Sequence, residues 1–197
     1  IAAERVDLVI RGARAKMAPV DWLPLTARAT ELTIDDVTVR IKPRTTPPSG
    51  KPLRFLPAML HVAVPKLGIA AAHVTLQNGV QLEATQVAAD AAVSSQRIDL
   101  GRLDVDLREA RVRGRFALFA TDPVGMEFAL DWSTHSSLPV VGRSAGVGDL
   151  RQLRTRTNLS APLVAGIHMT LADLDREFYW TATGRIAELD TQRLSPA

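Results

Sequence analysis

Few side chains in this chain combine the types and spacing that bond-breaking chemistry needs. The string Gly142-Arg143-Ser144-Ala145-Gly146 matches G-x-S-x-G, the turn that exposes a nucleophilic serine, and His168 and Asp173 follow it. That motif requires a buried strand running into a helix, and an acid that precedes the histidine. Here further glycines and a new strand pattern follow the serine, so an esterase is not expected. Gly146-Val147-Gly148 lacks the third glycine and the helix of a dinucleotide-binding turn. His61, His73, His135 and His168 have no i, i+2 or i+4 partners with carboxylates in support, so no metal site is predicted. Asn158-Leu159-Ser160 is a glycosylation sequon only in a eukaryotic secretory setting. Asp99, Asp104 and Asp106 alternate outward with arginines, which suits cross-strand ion pairs better than acid–base work. With no cysteine, disulfides, thiolate nucleophiles and Cys-ligated metals are excluded. The chain reads as non-enzymatic, with no metal and no cofactor.

What the residues do specify is a rhythm. Across residues 98–133, apolar and polar side chains alternate almost without interruption. Ile98 and Leu100 share one face, and after Gly101 the phase slips to Leu103, Val105 and Leu107. A second slip starts Ala110, Val112, Gly114, Phe116 and Leu118, and after a Thr-Asp-Pro-Val-Gly turn come Met126, Phe128, Leu130 and Trp132. A period of two means half-buried β-strands. The unit is an antiparallel meander with one apolar and one charged face, and the apolar face must be covered by another sheet, a helix, its own curvature or a ligand.

The rest of the chain repeats the theme. Val6, Leu8 and Ile10 alternate with charge. Residues 18–29, with two prolines around Trp22, Leu23 and Leu25, suit a short helical turn. Leu32 and Ile34 give way to Val37, Val39 and Ile41 through a bulge at Asp35-Asp36. Leu60, Val62 and Val64 precede Pro65, after which Leu67 and Ile69 resume in the other phase, as in an edge strand with a bulge. Around Asn78-Gly79 a three-residue loop pairs Val74 with Leu82 and Leu76 with Val80, whereas a two-residue turn would mix the faces. Residues 84–93 are alanine-rich and weak for either state. Leu153 to Leu159, Leu163 to Leu171 and Phe178 to Ile186 give three further strands.

The expected fold is therefore all-β: an elongated, strongly curved antiparallel sheet forming an open groove, with at most one short helix. About a dozen strands stacked in sequence would span roughly 55 to 60 Å. The segments read as 1–42 (first strands and helical turn), 43–59 (Pro-rich loop), 60–135 (central meander), 136–150 (flexible loop) and 151–197 (further groove strands), in one continuous domain that is a fragment of a longer protein.

Charge narrows the partners. Arginine supplies most of the formal net charge of +3 and the pI near 9.8. Residues 1–66 carry 11 basic against 6 acidic side chains and residues 67–197 carry 13 against 15. Interleaved signs argue for solvated sheet faces and against a nucleic-acid stripe. No apolar run of about 18 residues is present to cross a membrane as a helix.

At this point the residues resemble a known family, the TamB and AsmA-like periplasmic proteins of Gram-negative bacteria. The resemblance lies in ELTIDDVTVRIK at 31–42, in the Pro-rich RTTPPSGKPLRFLPAMLHVAVPKLGIAAAHVTLQNG at 44–79, and in IDLGRLDVDLREARVRGRFALFATDPVGMEFALDWS at 98–133. The closing LSAPLVAGIHMTLADLDREFYWTATGRIAELD at 159–190 is similar to a further turn of the same repeat. It is a likeness of rhythm and a few anchor residues, with no catalytic signature. It implies a taco-like β-fold with an apolar groove, in a periplasmic protein anchored to the inner membrane by a segment outside this chain and engaging an outer-membrane barrel of TamA type. It also implies a part in phospholipid transport between the membranes or in outer-membrane protein assembly.

If the strands close only partly, the inward set lines a slot: Val74, Leu76, Leu82, Leu103, Val105, Leu107, Val112, Phe116, Leu118, Phe128, Leu130 and Trp132. An acyl chain placed there gains about 0.8 kcal/mol per methylene, on the order of 10 kcal/mol for a tail of ~16 carbons. The same residues could instead face each other as a dry sandwich core. Three functions follow in order: a groove for phospholipid acyl chains, a scaffold that templates client strands on its sheet edge, and a sandwich or solenoid adhesion module.

Overall fold

The computed structural model describes residues 6–17, 26–41, 54–75, 81–174 and 179–189. Period-two patterning is converted throughout into strand: β1 (Val6–Arg11), β2 (Arg14–Met17), β3 (Thr26–Ile41), β4 (His61–Thr75), β5 (Gln81–Val93), β6 (Arg97–Leu107), β7 (Ala110–Phe119), β8 (Gly125–Thr134), β9 (Val141–Asp149), β10 (Gln152–Ala161), β11 (Leu163–Ala172) and β12 (Tyr179–Leu189). Among the described residues there is no helix; of the helical turn expected over 18–29, residues 18–25 lie outside them and residues 26–29 are strand, the start of β3, and the loop through Asn78 also lies outside them. All twelve strands form one sheet in the order β1-β3-β4-β5-β6-β7-β8-β9-β10-β11-β12, with β2 beside β1 on the same edge of β3. Eleven positions across the sheet span about 48 Å, somewhat less than a dozen stacked strands would.

Three expectations are corrected. The β3–β4 pair is parallel, with Ile34 beside Ile69 and Val39 beside Val74, so the end of β3 at Ile41 and the start of β4 at His61 lie at opposite ends of the pair. A hairpin could not join them, whereas a long connection can. Next, β4 is an interior strand, although it contains Pro65. Its pairing with β5 shifts between Val64 and Leu67, and its pairing with β3 is interrupted between Ala63 and Leu67, so the missing N–H of proline falls where the ladder is already broken. Finally, most of the loop expected over 136–150 is strand β9, paired on both sides. Its glycines disguise it, because they remove the side chains on which an alternating pattern is read.

The phase slips expected at Pro65 and after Gly101 are real bulges that line up across the sheet, whereas the slip expected before Ala110 is the turn between β6 and β7. Register shifts fall between Val64 and Leu67 on β4, between Ala88 and Asp90 where β5 meets β6, and between Leu100 and Leu103 on β6, where Arg102 takes a positive φ of 44°. A second irregularity lies between Ala84 and Gln86. Bulges increase local twist and bend a strand, so a line of them across neighbouring strands creases the sheet.

Among the described residues no second layer packs on this sheet: every substantial inter-strand contact is between sheet neighbours. Among the described residues no large side chain falls below 2% exposure, and the residues that are buried are alanines, glycines and Pro162, with Ile34, Val37, Val64 and Leu153. Those four belong to the apolar face. With nothing laid over it, their burial comes from the sheet curving around that face. The total accessible surface is 13387 Å², against about 9,100 Å² for a compact monomer of 21.3 kDa. The expected open, curved all-β sheet is what forms, neither a sandwich pressed shut nor a filled barrel.

The opposite face is held by ion pairs. Asp104 accepts both guanidinium nitrogens of Arg111 (2.9 and 2.8 Å) and Arg113 Nε at 3.1 Å. Arg102 bonds Asp90 at 2.6 Å and Arg143 bonds Asp131 at 2.5 Å. On the first wing Glu31 of β3 takes Lys16 of β2 at 2.8 Å and Lys66 of β4 at 3.0 Å. Hydrogen bonds from Lys16 and then Lys66 hold the Glu31 carboxyl down at about 2, from an ordinary 4.5. A depressed carboxylate stabilises the fold above its unfolded pKa, and that contribution fades as the pH falls toward the folded value. Glu31→Gln is therefore expected to melt below the wild type at pH 6, with the gap in Tm closing between pH 4.5 and 2. A gap that is constant over that window would show the ion pairs to be idle.

Candidate functional site

The lining residues expected from the sequence lie on one face, as the registers show. Val105 pairs with Val112 and Val112 with Trp132; Leu103 pairs with Gly114 and Gly114 with Leu130. Phe116 pairs with Phe128, and Leu118 with Ile98 and Met126. Leu107 sits beside Ala84, and Val74 beside Leu82 in the register of a three-residue loop. Leu76 lies outside the described residues. Val74, Leu103, Val105, Leu107, Val112, Phe116, Leu118, Phe128, Leu130 and Trp132 are all half-buried, and none is buried. A row of this size would be dry in a sandwich. Here it stands partly in solvent.

The apolar face also extends beyond that set. Toward β1 it continues through Ile69, Ile34, Val37 and Ile10, and toward β12 through Leu153, Ile167, Leu171 and Trp180. These positions carry the same alternation as the central meander, but bulges and prolines fragment it on one wing and threonines dilute it on the other. Cover is thinnest at the edges, where Ile10 is 48%, Trp180 61% and Ile186 68% exposed.

The local chemistry of β9 explains why aromatics can lie flat in the slot. A Cβ on Gly142 would come within 2.6 Å of Trp132 Cζ2, and one on Gly146 within 2.5 Å of Phe128. The two rings rest on bare backbone of the next strand, the packing by which an aromatic covers a strand glycine. Trp132 is further fixed by donating its indole N–H to Ser144 Oγ at 2.9 Å.

This geometry also removes the nucleophile motif. Ser144 points to the apolar face, bonded to Trp132 and Thr157. His168 pairs with Arg156 on the polar face, one position out of phase with Ile167, which shares the row of Ser144. Serine and histidine thus stand on opposite sides of one layer. Two other histidines have carboxylate neighbours that sequence spacing hid, because they come from different strands: His135 Nε2 lies 3.0 Å from Asp106, and His73 lies between Asp36 and Glu83 at 3.7 and 3.8 Å. Among the described residues no group of three His, Asp or Glu could hold a metal.

Two concavities open on the polar side. One, of about 470 Å³, is bordered by Arg111, Arg113, Asp131, Arg143 and Asn158. The other, of about 540 Å³, lies at the line of bulges beside Arg28, Pro65, Asp90 and Asp99. In the first, the arginines are committed to Asp104 and Asp131, whose hydrogen bonds raise the Arg111 and Arg143 pKa values. In the second, Asp90 is held by Arg102. Neither offers a free charge cluster or a nucleophile. Comparison with protein families, curated proteins and solved structures found no match to this chain.

If the indole rests on the Gly142 backbone as described, Gly142→Ala overpacks that contact. The variant should lose about 1 to 3 kcal/mol, most of it recovered when Trp132→Leu is added. Chemical denaturation of the single and double variants checks this, and a Gly142→Ala protein as stable as wild type would rule the packing out.

Proposed function

We propose that this chain is a groove segment of a periplasmic protein that carries phospholipid acyl chains between the inner and outer membranes. In this reading it is part of a longer chain anchored to the inner membrane and working with an outer-membrane barrel of TamA type, and it performs no chemistry of its own. One observation carries the proposal: an apolar face continuous across the sheet that no described residue covers. Monomeric proteins rarely expose contiguous apolar surface beyond a few hundred Å² without a ligand or partner for it. An acyl chain is the ligand that suits a long, mostly aliphatic lining without charge. The head group stays in water, and sliding needs no polar bond to break along most of the path.

A second reading, a scaffold that templates strands of outer-membrane clients, is favoured by the contrast between the two sheet edges. The β1/β2 edge is blunted: two short strands, broken at Gly12, carrying Arg11, Arg14 and Lys16. By contrast, β12 runs eleven residues as a continuous edge strand. Long unprotected edges pair with other strands.

Val105→Asp and Leu118→Arg separate the two readings. Each is expected to abolish phospholipid co-purifying with the chain, read by mass spectrometry, while binding of a client strand peptide survives. Wild-type protein that carries no lipid, or variants that keep it while losing the peptide, would overturn the groove in favour of the edge.

A further inference from the structure

The apolar face carries one polar notch. Among the described strand residues, away from the bulges, its side chains are apolar or glycine, apart from Thr134 at the end of β8 and three neighbouring hydroxyls: Ser144 on β9, and Thr155 and Thr157 on β10. Ser144 and Thr157 oppose each other in the ladder, and Thr155 opposes Gly146. The row through Ser144 and Thr157 is flanked by Leu130 on one side and Ile167 on the other.

Counting donors shows a surplus. Trp132 donates to Ser144 Oγ, and Ser144 shares a 2.8 Å hydrogen bond with Thr157 Oγ1. The indole and two hydroxyls hold three protons, and these two bonds use two. Whichever hydroxyl donates within the pair, the other keeps its proton. Thr155 adds a second, since its hydroxyl bonds no described residue. One donor is thus Thr155, about 7 Å along the strand from Thr157, and the other is Thr157 or, across the ladder from it, Ser144, on a face whose neighbouring side chains are otherwise apolar or glycine. A surface serving hydrocarbon alone would do better with valine, which has the shape of threonine, suits a strand as well and desolvates at less cost.

We propose that this notch binds the ester carbonyls of a diacyl lipid, each spare hydroxyl donating to one carbonyl oxygen while the two chains lie along the apolar rows on either side. The inference rests on the acyl-chain reading above and adds the linkage chemistry: the ligand bears carbonyl oxygens where its tails begin. No cation stands on this face among the described strand residues, so the head group is not what the notch recognises. In apolar surroundings a single well-placed donor counts for more than it would in water.

The test compares a phosphatidylcholine bearing two sixteen-carbon ester-linked chains with its ether-linked analogue, on the wild-type chain and on the Thr155→Val/Thr157→Val double variant, with strand content verified by circular dichroism. The wild type is expected to bind the diester about tenfold or more tighter, as two net hydrogen bonds imply, and the variant, in which Ser144 still holds one spare proton, to keep only part of that preference. Equal wild-type affinities would overturn the notch and leave the groove standing. Failure of both lipids to bind would overturn notch and groove together. Should the double variant misfold, the single variant Thr155→Val is expected to lose part of the ester preference, and an unchanged preference in it overturns the notch.

Discussion

Everything in this molecule depends on a single β-layer having one apolar face and no partner layer to put it against. A sheet of this kind ordinarily buries its apolar side against a second sheet or a helix. Here the only cover is curvature, and curvature alone cannot dry a face: it takes Ile34, Val37, Val64 and Leu153 below 10% exposure and leaves the leucines, phenylalanines and Trp132 between them half-buried. The hydrophobic free energy still missing from the fold is proportional to that remaining area. It is available to whatever fills the slot, so the feature that makes the isolated layer costly is the one on which the proposed acyl-chain binding rests.

Curvature has identifiable causes. The bulges at Val64/Leu67, Ala88/Asp90 and Leu100/Leu103 fall at one level on adjacent strands, so their bends add instead of cancelling. The parallel pairing of β3 with β4 keeps this level continuous, because both strands carry their irregular positions at the same offset. One strand further along the same line, a glycine does the work of a bulge. Gly114 adopts a φ of 147°, and a Cβ there would strike the carbonyl of Ala129, so the backbones of β7 and β8 approach more closely than any other residue would permit.

Much of this could be read from the amino acids, and the parts that could not share a physical reason. Period-two alternation reports faces directly, so the slips at Asp35-Asp36 and Gly101 and the pairing of Val74 with Leu82 were legible, as was the common face of the lining residues. Alternation is blind where side chains vanish, and β9 was hidden because Gly142, Gly146 and Gly148 hold its inward positions. It is also blind to partners that are distant in sequence. Nothing near His135 announces Asp106, nor does the Pro-rich stretch say that the strand after it will run parallel to the strand before. The surplus hydroxyls of Ser144 and Thr157 were out of reach for the same reason, since only the register brings them together.

The polar face completes the logic. Two copies of a one-layer sheet could in principle hide their apolar sides by stacking, and could equally aggregate through their backs or edges. Carboxylates of β5 and β6 lie against arginines of β6 and β7, and Asp131 against Arg143, so on the central strands the charges of the polar face are matched within one molecule. Such exposed pairs contribute little to stability. Their consequence is for association: a face already neutralised internally and strongly hydrated offers a neighbour no apolar area, and bringing up an identical face would desolvate the pairs without compensation. The blunted β1/β2 edge closes one lateral route in the same way. What remains open is the apolar slot and the β12 edge that borders it, and there Trp180 and Ile186 project toward the slot with little cover. A strand added at β12 would extend the slot, and a chain lying in the slot would shield β12's exposed side chains. The two proposed uses of the sheet therefore act on adjoining surfaces, and each lowers the cost of the other.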